Sequence, residues 1–449
     1  MFNRAIRTLI ITVILLIWSL PSRAMTLTEA LAQSYRNNPS LAAAQARLRA
    51  VDTTLAEAQS GWRPSADLLA DAGVGRTRFR GDSDTDFPRD VTLSVTQPIW
   101  RGGETEAQID RAEAEIRAER ARLIVAEQNV LLQAATAYLD VRRDTEIRRL
   151  EQDNLARLQQ QLDASNKRFE AGELTVTDVH QAQARLAGAE ANLATAAANL
   201  EISESGFAQI VGRPALNLTE PNLAISLPPS LQAAQDLAAS NDPQIAAATY
   251  SQQAAQENIG VAKSALRPDI ALKLDMTRSW VGTSFVNSGA RVDDARVVGS
   301  IVVPLYRGGG DYARLAGARE TASARMYDLQ QSRNQSQAQV IAAWSSLQAS
   351  EAASRARAQQ IGATEQALAG VQMVNQVGTR TVLDVLDAQQ ELRNARIGEA
   401  QSRRDMAVAQ LQLLAVGGQL TARKLKLPVD YYDPGEHFRA IDGTWAAGQ

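Results

Sequence analysis

Val377-Gly-Thr-Arg-Thr-Val-Leu-Asp-Val-Leu-Asp-Ala-Gln389 interrupts a long region without proline that otherwise reads as helix. Gly378 can end one helix in a left-handed cap, and Thr381 can begin the next. Thr381 and Asp384 have the spacing of a capping box, so helix restarts at once. The device occurs earlier in Ala171-Gly-Glu-Leu-Thr-Val-Thr-Asp-Val179, where Gly172 is the stop and Thr175 with Asp178 the restart. The two copies lie 206 residues apart. A helix that stops and restarts within a few residues is one end of a hairpin, and this chain has two.

The repeat covers most of the chain. Asn38-Pro39 is echoed by Asp242-Pro243 and Trp62-Arg-Pro64 by Leu266-Arg-Pro268, both at an offset of 204 residues. Gln97-Pro98-Ile-Trp100-Arg-Gly-Gly103 is echoed by Val303-Pro304-Leu-Tyr306-Arg-Gly-Gly309, now at 206. These echoes mark a tandem duplication, with one repeat over residues 25–213 and the other over 230–418. A proline-punctuated segment, 214–229, links them, and 419–449 forms a C-terminal tail.

Each repeat contains the same four parts. The first is a helix of moderate length, Thr28 to about Gly61 and Leu231 to about Ala265, opened in the first half by the capping box Thr26-Leu-Thr-Glu29. The second is a strand pair, about 65–100 and 268–304, that alternates with period two. Ala66, Leu68, Ala70 and Ala72 fall on one face, against Asp67 and Asp71 with Leu69; Ile270, Leu272, Leu274 and Met276 oppose Lys273, Asp275 and Thr277. Charged segments, Arg76 to Asp90 and Val281 to Asp294, read as the connecting loops. The third part is a long helix; over Glu104 to Glu170 it spans on the order of 100 Å at 1.5 Å per residue. Ile109, Ile116, Leu123, Val130 and Ala137 recur every seven residues, as do Leu155, Leu162 and Phe169, the signature of coiled-coil packing. The fourth part is the returning helix, Thr175 to Val211 and Thr381 to Val416.

Composition narrows the function. The chain of 449 residues has a formal charge of −3 and no cysteine. Residues 1–24 have the basic start, short apolar run and small final residues of a secretory signal peptide; a retained anchor is the competing reading. Its removal takes three arginines and leaves −6, which argues against nucleic acid as a partner. Without cysteine the chain has no disulfides and no lipid-bearing N-terminal thiol. No later apolar run is long enough for a membrane helix. Only 5% of residues are aromatic, which suits close-packed, alanine-rich helices. Neither His180 nor His437 has metal-ligand company, no serine-nucleophile or phosphate-loop motif is present, and no cofactor is expected.

The strands have the length and two-faced character of tilted membrane-crossing strands. Trp62, Trp100, Trp280 and Tyr306 fall at strand ends, where an interfacial aromatic belt would stand. Two amphipathic hairpins on a soluble sheet would give the same pattern. Four strands do not close a barrel, so membrane-crossing strands would have to be pooled by several chains. At the second tip, Asp384 and Asp387 lie three apart on one helix face. They are either a helix cap with a solvated neighbour or, in an oligomer, an acidic ring. Arg380 in one tip and Thr177-Asp178 in the other are placed to tie adjacent tips by a charge-assisted bond.

With these motifs the chain resembles the TolC family of outer-membrane efflux proteins over about residues 25–418. The resemblance rests on the Val377–Gln389 stretch, its echo at Gly172 to Asp178, Trp62-Arg-Pro64, Gln97-Pro98 and the Arg-Gly-Gly turns. It implies a mainly α protein with a small β part: long helical hairpins form a periplasmic tunnel, and four strands per chain join a 12-stranded barrel in a homotrimer. It further implies an outer-membrane location, a periplasmic adaptor and an inner-membrane ABC or RND transporter as partners, and passage of exported protein or drug with no chemical step. By the same resemblance Arg380 and Asp178 match residues that hold the periplasmic entrance shut, and Asp384 and Asp387 match an acidic constriction. A tyrosine common three residues before the tip glycine is Asn375 here. The competing class is a soluble periplasmic coiled-coil scaffold, with an enzyme as the remote third.

Overall fold

The computed structural model describes residues 24–79, 81–221, 226–280, 291–377 and 379–443. The expected signal peptide therefore falls almost wholly outside the described residues, as does Gly378. In chain order the elements are α1 (Leu27–Asn37), α2 (Pro39–Ser60), β1 (Ser65–Ala72), β2 (Gly75–Phe79), β3 (Asp82–Asp86), β4 (Arg89–Trp100), α3 (Glu104–Glu170) and α4 (Val176–Val211). They continue as α5 (Leu231–Asn241), α6 (Pro243–Ser264), β5 (Asp269–Trp280), β6 (Arg291–Val302), α7 (Gly310–Gln376), α8 (Val382–Val416) and α9 (Glu436–Ile441). Both long helices, α3 and α7, have 67 residues, and the returning helices α4 and α8 have 36 and 35.

The single opening helix expected in each half is two. Asn38 and Asp242 precede prolines, whose rings clash with a helical residue before them. Both residues are extended, with ψ of 121° and 115°. Helix resumes at once because proline is well suited to the first helical position. Asn38 also caps α2, its Oδ1 accepting from the Ser40 N–H at 2.9 Å. The charged segment after Ala72 also differs from expectation. Residues 75–79 and 82–86 pair as a two-stranded antiparallel ribbon, because Gly81, at a φ of +96°, lets the chain reverse between them.

The chain divides into two compact units, each drawing on both repeats. One comprises Met1–Ala43, Ile124–Pro243 and Gln335–Tyr432, and the other Ala44–Leu123, Gln244–Asn334 and Asp433–Gln449. In the first, Leu31, Leu131, Tyr138, Phe207, Leu411 and Leu420 form a buried core from α1, α3, α4, α8 and the tail. A second cluster repeats the arrangement with Ala234 and Ala238 of α5 against Val340, Leu347 and Leu413. The Tyr138 hydroxyl donates to the Thr219 carbonyl at 2.7 Å, which ties the linker to this core. Gly418 ends α8 with φ +68°, and a Cβ there would lie 2.2 Å from the Asn241 carbonyl oxygen, so only glycine fits.

The second unit holds the four-stranded sheet, ordered β1-β4-β5-β6 and antiparallel throughout. The β4–β5 pairing joins the hairpins of the two repeats, and β1 and β6 are the edges. Pro98 lies inside β4, where a proline normally costs a ladder bond. It is tolerated because β1 pairing ends at Thr96 and the β5 register shifts between Pro98 and Trp100. The tail returns in this unit: His437 Nδ1 lies 3.1 Å from Asp52 Oδ2, and the Arg120 guanidinium sits 5.0 Å over the Phe438 ring.

Candidate functional site

The hairpin tips are built alike. At the first, Gly172 has φ +78° and the Glu173 N–H reaches back to the Arg168 carbonyl at 2.9 Å, the closure of a glycine-ended helix. The equivalent bond at the second tip runs from the Thr379 N–H to the Val374 carbonyl at 3.2 Å. Asn375, in the place of the tyrosine, donates to the Arg380 carbonyl at 2.7 Å and so braces its own turn.

Both restart boxes form. Thr175 donates its N–H to Asp178 at 2.9 Å, and Thr381 donates its N–H to Asp384 at 2.9 Å. The hydroxyls add bonds of 2.7 and 2.8 Å to the same carboxylates. These bonds, the hydroxyl's first and the backbone's second, hold both carboxyls below the usual aspartate range, with Arg380 adding charge at Asp384. Arg380 Nη1 lies 3.4 Å from Asp384. Within one chain, then, Arg380 faces Asp384 and Asp178 faces Thr175, and the structure does not bring Arg380 to Asp178. Thr177 is exposed on the first turn of α4.

Asp387 is not simply solvated. Arg185 of α4 donates to it at 2.7 Å and also bonds Gln390, so one guanidinium spans α4 and α8. Sequence reasoning missed Arg185. Its signal was a charge reversal between the repeats, since the residue 206 positions later is Glu391. Beneath this contact Leu158, Ala189 and Leu386 pack together, and Arg393 makes a buried pair with Glu151 at 3.0 Å. A cavity of about 160 Å³ lies between these groups, lined by Leu158, Arg185, Leu386 and Arg393. No cluster of three metal-ligating side chains occurs among the described residues.

The sheet offers the second functional surface. Register places Leu68, Leu93, Leu274 and Val297 on one face, and Asp67, Ser94, Asp275 and Arg296 on the other. The polar face is cross-linked: Ser94 donates to Asp275 at 2.9 Å, and the Thr92 and Thr277 hydroxyls are 3.1 Å apart. The apolar face is bare, with Leu68 71% and Val297 65% exposed. The division is blurred by Leu69 of β1 and by Val292, Val298 and Val302 of β6 on the polar side, and by charged residues at the loop end of the apolar side. Trp100 and Trp280 are the last residues of β4 and β5, while Trp62 precedes β1 and Tyr306 follows β6. No helix among the described residues is long and apolar enough to cross a membrane, which says nothing of strands.

The family pattern described as "Outer membrane efflux protein" matches residues 30–213 and again 234–419. The outer membrane efflux protein BepC of Brucella suis is 32% identical over 424 residues, 94% of this chain and 91% of that protein. Outer membrane protein TolC of Vibrio cholerae is 27% identical over 406 residues, covering 89% and 92%. Among solved structures, the CmeC outer membrane channel of Campylobacter jejuni superposes with a TM-score of 0.78 at 13% identity, covering 93% of this chain and 89% of that one.

Proposed function

The chain belongs to the outer membrane efflux protein family, and from that premise we propose that it is a passive exit duct, assembled from three copies and gated at its helical tips. It is an outer-membrane efflux channel that extends into the periplasm. The observation that carries the assembled form is the sheet: among the described residues β1 and β6 have no outer neighbour, and the apolar face is uncovered. In lipid each unpaired backbone group costs several kcal/mol, so strands persist there only in a closed barrel. Three copies of four strands supply 12, a number found in such barrels. The apolar face then meets lipid and the cross-linked polar face lines water.

Cargo would pass through unchanged, driven by an inner-membrane ABC or RND transporter and delivered through a periplasmic adaptor engaging the tips. Closure rests on Thr177, Asp178, Arg380, Asp384 and Asp387, in the two tip motifs whose sequence carries Gly172 and Gly378. Opening is a splaying of the hairpins, an equilibrium that a partner biases by binding the splayed state better. Arg380→Ser together with Asp178→Ala should raise single-channel conductance in planar bilayers. Unchanged conductance in a protein that still forms a heat-sensitive oligomer would refute the gate. Absence of any conducting oligomer would refute the duct.

A further inference from the structure

Period-two alternation sorts charge at the end of the sheet away from the flanking helices. Asp71, Asp90 and Asp294 stand on the polar face; Arg89, Arg278 and Arg291, with Asp293, stand on the apolar face. Arg89 is directly opposite Trp280, and Trp280 is directly opposite Arg291, so these form one row across β4, β5 and β6. The next row on that face is Val91, Arg278 and Asp293. On the apolar face three guanidiniums stand against one carboxylate, so that face of the rim is formally cationic, while the other aspartates lie on the opposite face. Asp293 gathers two of them, accepting from Arg278 Nε and Arg291 Nη2 at 2.7 Å each. A guanidinium has five N–H donors, so both keep free forks after this pairing. All three arginines are exposed. Below them the face turns apolar, through Leu93 beside Met276 and Val95 beside Leu274.

Arginines bordering a face suited to hydrocarbon extend to the membrane surface, where lipid headgroups carry their phosphates. We propose that this rim is a binding site for the phosphate groups of an anionic glycolipid in the outer leaflet. The planar forks of Arg89, Arg278 and Arg291 take phosphate oxygens, which they match in geometry as lysine does not. Trp280 sits between them at headgroup level, and the acyl chains lie along the apolar rows. The site rests on the reading of this sheet as membrane-crossing with its loop end outward.

The test uses the full chain purified in detergent, with bisphosphorylated lipid A, dephosphorylated lipid A and inorganic phosphate as probes. Bound lipid is read by native mass spectrometry, and oligomer dissociation by heating before electrophoresis. Bisphosphorylated lipid A should remain bound and raise the dissociation temperature. Retention should fall by about tenfold or more with the dephosphorylated lipid and in the triple variant Arg89→Gln, Arg278→Gln, Arg291→Gln. High salt should weaken it, because these charges are exposed. If the triple variant does not assemble, Arg89→Gln alone should lower retention and Arg89→Lys should restore part of it. Equal retention by the variants, indifference to the lipid's phosphates, or an equal stabilisation by inorganic phosphate would each overturn the site. A conducting oligomer indifferent to lipid phosphate refutes the rim alone, whereas a chain forming no conducting oligomer removes the channel reading and the rim with it.

Discussion

Arg185 and Arg393 sit within one cavity wall but carry different burdens. The Arg185–Asp387 pair is 36% and 57% exposed, so water and salt screen it. Its coupling should be about 0.2–1 kcal/mol in a double-mutant cycle of Arg185→Ala and Asp387→Ala. A tie that weak suits a gate, since a modest differential affinity in a partner suffices to release it. Arg185→Ala should therefore increase channel open probability severalfold in planar bilayers while leaving the heat stability of the oligomer unchanged. An unaltered open probability would remove Arg185 from the gate. The Arg393–Glu151 pair is only 12% and 6% exposed, and removing one partner of such a pair costs about 3–5 kcal/mol. It serves the fold of the hairpin and is the wrong place to probe opening. The Arg185 contact was illegible in the chain because it links positions 202 residues apart, on helices whose rotation about their axes no local motif specifies.

At the scale of elements, local chemistry was legible and tertiary accommodation was not. Thr26, Thr175 and Thr381 all cap as their spacing requires, because a capping box closes within four residues. The heptad positions Ile116, Leu123 and Val130 are buried, yet Phe169 is 43% exposed, since near the tip one chain supplies too few neighbours. The helix breaks at Asn38 and Asp242 were readable from the prolines; the β2–β3 ribbon was masked by its charged, low-propensity sequence. The tail's docking follows from no motif at all. Glu127 accepts the Ala422 N–H at 2.6 Å, and burial pushes its carboxyl above the ordinary range. A raised carboxyl pKa means that the folded state prefers the protonated form. Its contribution is complete below the unfolded value and is lost as pH rises through the folded one. Glu127→Gln should thus raise the thermal midpoint at pH 7, and the difference should vanish near pH 4. A variant less stable than the parent at pH 7 would show that the charge, not only the acceptor oxygen, holds the tail.

For the whole molecule, the two edges of the sheet are unlike: β1 has 8 residues from the first repeat and β6 has 12 from the second. In the proposed trimer, pairing between copies is then head to tail, which closes a ring when the rotation fits. A chain without cysteine is a clean background for testing this. Cysteine pairs that combine Leu68→Cys or Ala70→Cys with Ala295→Cys or Val297→Cys should oxidise, in the correct register, to a covalent species of three chains and no more. Cross-linked dimers that never extend, or open-ended ladders, would contradict the ring. The same unlike edges bear on the chain's life before assembly. In the proposed pathway an unassembled copy carries through water two sheet edges that have no neighbour among the described residues, together with a bare apolar surface, and any exposed strand could pair with them. Solitary passage across the periplasm is therefore its most hazardous interval, and its yield should depend on how quickly escorts and sister copies reach it.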